Sequence, residues 1–289
     1  MNSRSKWIAG ARPRTLPAAI SPVIVGTALA HRIGEHVSYL NALLALVVSL
    51  SLQIAVNYSN DYSDGIKGTD EVRVGPIRLV GSGLASARAV KSAAFISFGV
   101  ACVAGSFLAM RTSYLLILIG IVAIFAAWTY TGSSKPYGYR GLGEISVFLF
   151  FGVVATVGTA YVATQRVTWQ SFLLSIPVGA LSCAILAINN LRDLPKDSLV
   201  GKRTLAVRMG DISARVFYIS LLVFAHVASL VAIVVAPWAI ATLFLLPITA
   251  QIARSIIKGA QGVELIPLLG KTGRLQLLLS TTLAIALLI

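Results

Sequence analysis

A chain of 289 residues that is 57% hydrophobic and only 12% charged carries about half the charge of a soluble domain, where roughly 25% is usual. That excludes a soluble globular protein and points to an all-α integral membrane protein, because runs of about 20 apolar residues cross the hydrocarbon core as helices. The formal net charge of +14 would suit a nucleic-acid partner. However, the basic residues are sorted by loop rather than gathered on one segment, so no nucleic acid is expected.

Nine stretches approach spanning length, near 15–33, 38–60, 92–110, 112–132, 145–165, 168–190, 216–235, 237–257 and 275–289. Arg4, Lys6, Arg12 and Arg14 precede the first, and no small-residue cleavage site follows it, so this span is expected to stay rather than be removed as a signal peptide. The seventh and eighth come from one uncharged run, Val216 to Ala253, too long for a single crossing, with Pro237 as the natural break. The ninth is short. Of the 24 Lys and Arg residues, all but Arg32, Arg111 and Arg166 fall before the first span or after even-numbered ones. The positive-inside rule then puts the N-terminus in the cytoplasm and, after nine spans, the C-terminus outside. The basic side faces the anionic leaflet of a plasma membrane. Cys102 and Cys183 lie inside spans and read as packing residues. The three His are scattered, which argues against a zinc or haem site. Gly152, Gly158 and Gly179 read as points of close helix approach.

The chemistry sits at the ends of the second and sixth spans. Only ten acidic residues occur, and four lie in Asn57-x-x-x-Asp61-x-x-Asp64 and Asn189-x-x-x-Asp193-x-x-x-Asp197. A carboxylate near lipid is costly and marks function by default. At 100° per residue, Asn57, Asp61 and Asp64 fall within about 60° on one helix face, and Gly65 offers a stop. Asn189 and Asp193 repeat the stacking, while Pro195 is expected to break or kink the helix before Asp197. Oxygen ligands of this kind suit a hard divalent cation. Four aspartates and a diphosphate carry about −7, and two Mg²⁺ ions return about +4, leaving roughly −3 for basic side chains. Lys67, Arg73 and Arg78 follow the first motif and Arg192, Lys202 and Arg203 flank the second, as phosphate recognition requires. An EF-hand is excluded, since its ligand positions and terminal Glu are absent. The two motifs are four spans apart and so share one orientation. The chain therefore reads as a single transmembrane domain of two roughly parallel halves, 1–132 and 133–289, around a central cavity.

In these motifs, and in ARPRTLP, RVGPIRLVGSG, YRGLGEISVFLFFGVVATVGT and NNLRDLPKDSLVGKRTLAVRMG, the chain resembles the UbiA-type intramembrane prenyltransferases, most of all their dihydroxynaphthoate-prenylating branch. One departure is the missing further Asp four residues after Asp64, where Gly68 stands. The resemblance implies nine helices and a single catalytic domain with its site facing the cytoplasm. The implied reaction is Mg²⁺-dependent transfer of a polyprenyl chain from its diphosphate to 1,4-dihydroxy-2-naphthoate, with loss of the ring carboxylate and release of diphosphate. It further implies Asp61, Asp64, Asp193 and Asp197 as catalytic, with Asn57 and Asn189 completing the ligands of two Mg²⁺ ions. The diphosphate falls to Asn60, Lys67, Arg73, Arg78, Arg192, Lys202 and Arg203. The aromatic acceptor falls to Arg14, Lys135, Tyr137, Tyr139 and Arg140. Tyr130, Tyr137 and Tyr139 suit either carbocation stabilisation through their ring faces or interfacial anchoring. Two other readings compete: a related prenyltransferase acting on 4-hydroxybenzoate or homogentisate, and a cation-coupled transporter. Transporters usually hold charge at the midplane, whereas these carboxylates sit at span ends among cations.

Overall fold

The computed structural model describes residues 3–34, 36–68, 75–133 and 135–289. Among them the chain is helical, with no strand. The helices are α1 Ser3–Ala11, α2 Pro17–Ile33, α3 Tyr39–Ile66, α4 Ala87–Arg111, α5 Leu115–Thr129, α6 Gly143–Thr164, α7 Trp169–Leu199, α8 Leu205–Met209, α9 Asp211–Val234, α10 Pro237–Ile257 and α11 Leu265–Leu288. By length and apolarity α3, α4, α6, α7, α9 and α10 can each cross a membrane. A seventh candidate is the segment Arg4–Thr15 taken with α2, bent by 56°. α5 is apolar but has 15 residues. α11 has 24 residues, Lys271 and Arg274 among them.

Three expectations about helix ends are corrected. Pro195 does not end α7, which runs on to Leu199 and also carries Pro177. A proline deletes one backbone donor, and neighbouring helices and hydroxyls absorb that loss in membrane helices. Gly65 does not stop α3. The terminator is Gly68 at φ 69°, a left-handed conformation that glycine adopts without a steric cost. Gly65 instead makes room, because a Cβ there would lie 2.5 Å from the Val80 side chain. Finally, α11 starts at Leu265 rather than near 275, launched by a capping box between Gln261 and Glu264. The cations that looked like a loop therefore ride on its first turns.

α7 is the central post, with 78% of its most apolar stretch buried. Leu174, Leu181 and Ile188 of α7, Leu29 of α2, Leu222 of α9 and Leu279 of α11 pack into one core. α5 buries no residue, which leaves it on the lipid side. α6 meets α7 at Gly152 and Gly179, where a Cβ on Gly152 would come within 2.6 Å of the Gly179 Cα. At this crossing α6 winds as a π-helix over Phe148–Val154. Such wide turns are frequent at functional sites. Gly152→Ala would push on backbone that cannot rotate away, costing about 1–3 kcal/mol. We expect a lower thermal midpoint in detergent than for wild type, and an unchanged midpoint would show that the crossing can relax.

Candidate active site

α3 and α7 have 28 and 31 residues, or about 42 and 46 Å at 1.5 Å per residue. The hydrocarbon core is about 30 Å thick. Each helix therefore outlasts the lipid, and each carries its acidic motif in its C-terminal turns. The two ends converge: Lys202 Nζ lies 3.7 Å from Asp64 Oδ2 and 3.8 Å from Asp197 Oδ1. Arg78 lies 3.5 Å from Asp64, and Tyr139 donates its hydroxyl to Asp64 at 2.5 Å. The Tyr139 ring also faces Lys67 at 5.1 Å and Lys202 at 4.9 Å. Asp193 is held bidentately by Arg192, both bonds 2.8 Å.

These groups border a cavity of about 400 Å³. Along α3 its wall runs Ala45, Val48, Leu52, Gln53, Val56, Asn57, Asn60, Asp64, and along α7 it runs Ser182, Ile185, Leu186, Asn189, Asn190, Asp193. The helical spacing puts each set on one face. Both faces pass from apolar to polar toward the C-terminal end, so the cavity has one charged mouth. Ile117 and Ile121 of α5 and Phe150 and Phe151 of α6 continue the apolar wall.

The expected site residues divide by position. Asn57, Asn60, Asp64, Arg78, Asn189, Asp193, Lys202 and Tyr137 line the cavity. Lys67 and Tyr139 adjoin Asp64 from outside the lining. Asp197 reaches it through Lys202, and Arg192 through Asp193. Asp61 differs from the expectation of a cavity-facing carboxylate. It is fully buried, and its two oxygens accept from Leu79 N at 2.8 Å and Val80 N at 3.0 Å, which turns it toward the segment carrying Arg78. Asn57 lines the cavity but also ties the chain start to α3, donating to the Ala11 carbonyl at 2.9 Å and Thr15 Oγ1 at 3.1 Å. Arg14, Lys135, Arg140 and Arg203 are exposed and do not line the cavity. Arg73 lies outside the described residues.

Several polar cavity residues were not foreseen, Arg12 and Asn190 among them. Arg12 sits at φ 54° and lines the cavity, with its Nη2 on the Asn57 carbonyl at 3.1 Å. A left-handed non-glycine residue is strained and collects at functional sites, and no sequence pattern announces it. Asn190 had a signal, since it neighbours Asn189. Desolvation lowers the Lys67 ammonium below the ordinary lysine value, with Asp64 acting against the shift and Lys202 adding to it. Burial raises the Tyr137 phenol, opposed by its hydrogen bond with Ser146.

A bundle of membrane-type helices around a cavity that is apolar along its length and charged at one mouth defines an intramembrane site for an anion-headed apolar substrate. Residues 19–264 match the UbiA prenyltransferase family, and the chain belongs to it. It is 48% identical over 287 residues to the 1,4-dihydroxy-2-naphthoate octaprenyltransferase of Mycobacterium tuberculosis, covering 99% of this chain and 98% of that one. It is 36% identical over 280 residues to the Escherichia coli protein of the same name, covering 92% and 89%. A solved UbiA homologue from Archaeoglobus fulgidus, bound to GPP and Mg²⁺, has the same fold at a TM-score of 0.68 and 15% identity, covering 98% of this chain and 99% of that one.

Proposed function

We propose that this enzyme transfers a polyprenyl chain from polyprenyl diphosphate to 1,4-dihydroxy-2-naphthoate, with loss of the ring carboxylate and release of diphosphate, giving demethylmenaquinol. The observation that carries this reading is Lys202, which pairs with both acidic motifs at the charged mouth of an apolar cavity. The name shared by its bacterial relatives supports the acceptor.

The donor set suits Mg²⁺. Among the described residues no three His, Cys, Asp or Glu gather into a metal cage, and Mg²⁺ characteristically uses one or two carboxylates together with substrate phosphates. Asp64 and Asn57 on one side and Asp193, Asp197 and Asn189 on the other would hold two ions, with Asp61 behind the first set. Bound Mg²⁺ would supply charge neutralisation for the leaving diphosphate. The chain's own residues do the rest. Arg78, Lys202 and Arg12 at the mouth attract the diphosphate and keep it oriented. The apolar faces of α3 to α6 take the prenyl tail and exclude water from its allylic end. Tyr137 and Tyr130 border the passage between the two, where ring faces favour a cation. Nine spans in a single two-halved domain, a cytoplasmic N-terminus and a site at the cytoplasmic face of the plasma membrane complete the proposal, supported by the segregation of the Lys and Arg residues.

Purified protein in detergent with Mg²⁺, a polyprenyl diphosphate and dihydroxynaphthoate should yield a prenylated naphthoquinol by mass spectrometry. EDTA should stop the reaction, and added Mg²⁺ should restore it. Turnover with 4-hydroxybenzoate but not with the naphthoate would overturn the acceptor, and EDTA-insensitive turnover would overturn the metal.

A further inference from the structure

Glu144 is a carboxylate that the reaction described so far does not use. It stands in the first turn of α6, where the helix N-terminus favours negative charge, and it is 6% exposed. One oxygen, Oε1, accepts from Asn190 Nδ2 at 2.9 Å. The other, Oε2, is buried and has no hydrogen-bond partner among the described residues. Its backbone carbonyl accepts from Cys183 Sγ at 3.1 Å, which pins the start of α6 to α7. Glu144 does not itself line the cavity, but Asn190 does.

An asparagine amide offers a donor end and an acceptor end of nearly equal shape, whereas an ionised carboxylate can only accept. A Glu144 carboxylate against Asn190 therefore decides which way the amide faces. Nδ2 is held by Glu144, and Oδ1 is the end left for a ligand. A carbonyl oxygen in the cavity selects a hydrogen-bond donor, and a dihydroxylated aromatic acid has two such donors in its phenolic hydroxyls. We propose that Glu144 is a positioning residue that orients Asn190 so that Asn190 Oδ1 receives a hydroxyl of the aromatic acceptor. This assignment rests on the acceptor reading given above. It places hydroxyl recognition on the α6–α7 wall, one helical turn before Asp193 at the charged mouth. A site built to pair a hydroxyl discriminates strongly against an analogue lacking it, because its polar group is then left unpaired.

The test uses the full-length enzyme and steady-state kinetics with both substrates varied. Glu144→Ala is expected to raise KM for dihydroxynaphthoate about three- to tenfold, the range for loss of one hydrogen bond to a neutral group, and to leave KM for polyprenyl diphosphate within twofold. Glu144→Gln retains an acceptor oxygen for Asn190 but adds a competing amide donor, so it is expected to recover only part of the loss. Asn190→Leu should erase the preference of the wild type for dihydroxynaphthoate over its monohydroxy analogues. If Glu144→Ala proves unstable, Glu144→Gln and Asn190→Leu still decide the matter. An unchanged naphthoate KM in Glu144→Ala, or a preference for the dihydroxy acceptor that survives in Asn190→Leu, would overturn the proposal. A Glu144→Gln variant with normal KM but kcat reduced a hundredfold would overturn it too, since that marks a proton-transfer role. Failure of wild type itself to turn over the naphthoate would instead remove the acceptor reading, and this proposal with it.

Discussion

Asp64→Ala is expected to reduce prenyl transfer by at least about 10²–10³-fold, the scale of removing one preorganised charge-stabilising group from a reaction site. Asp64 is 2% exposed, and Arg78, Lys202 and Tyr139 converge on it from three different segments. Its removal would take a carboxylate from the proposed metal set and leave two cations without their shared counterion. Asp64→Asn separates the two consequences. The amide can still accept from Tyr139, so local geometry is kept while the charge is lost. We expect Asp64→Asn to be nearly as inactive as Asp64→Ala, with an elution volume and helical circular dichroism like those of wild type. Near-normal turnover in Asp64→Asn would mean that this carboxylate holds structure only, and the two-motif site would have to be abandoned.

The architecture was legible because membrane helices announce themselves by length and apolarity, and because two Asn-x-x-x-Asp motifs four spans apart are improbable without a shared task. Segregation of the cations was likewise readable loop by loop. What stayed hidden depends on contacts between distant segments. The sequence places Asp61 on the same helix face as Asn57 and Asp64, and helix geometry alone cannot tell that the backbone at Leu79 and Val80 returns to occupy it. Gly65 looked like a helix stop because glycine often is one, yet here its missing Cβ admits Val80. Arg12 and Arg14 are indistinguishable as letters. A left-handed turn at Arg12 sends that side chain to the cavity and leaves Arg14 exposed. Pro195 misled in the other direction, since local propensity argues for a break while the packing of a long buried helix overrides it.

Asp61 is the residue for which the structure changes the expected phenotype. As a metal ligand it should behave like Asp64, with turnover lost and stability kept. Its geometry supports a different outcome, because a fully buried carboxylate bonded to two backbone N–H groups organises the turn at 78–80 that presents Arg78. Asparagine at this position has a single acceptor oxygen, so one of the two N–H groups would face an amide donor and go unsatisfied, at a cost of about 1–3 kcal/mol. Asp61→Asn is therefore expected to lower the thermal midpoint in detergent, and to reduce turnover about 10–100-fold, the range seen when a group supporting a ligand is removed rather than the ligand itself. Because the displaced element carries Arg78, a cavity-lining arginine proposed above to hold the diphosphate, more polyprenyl diphosphate should restore part of the rate, whereas more Mg²⁺ should not. A variant as inactive as Asp64→Ala, as stable as wild type and rescued by Mg²⁺ would put Asp61 on the metal and make the hydrogen bonds to Leu79 and Val80 secondary.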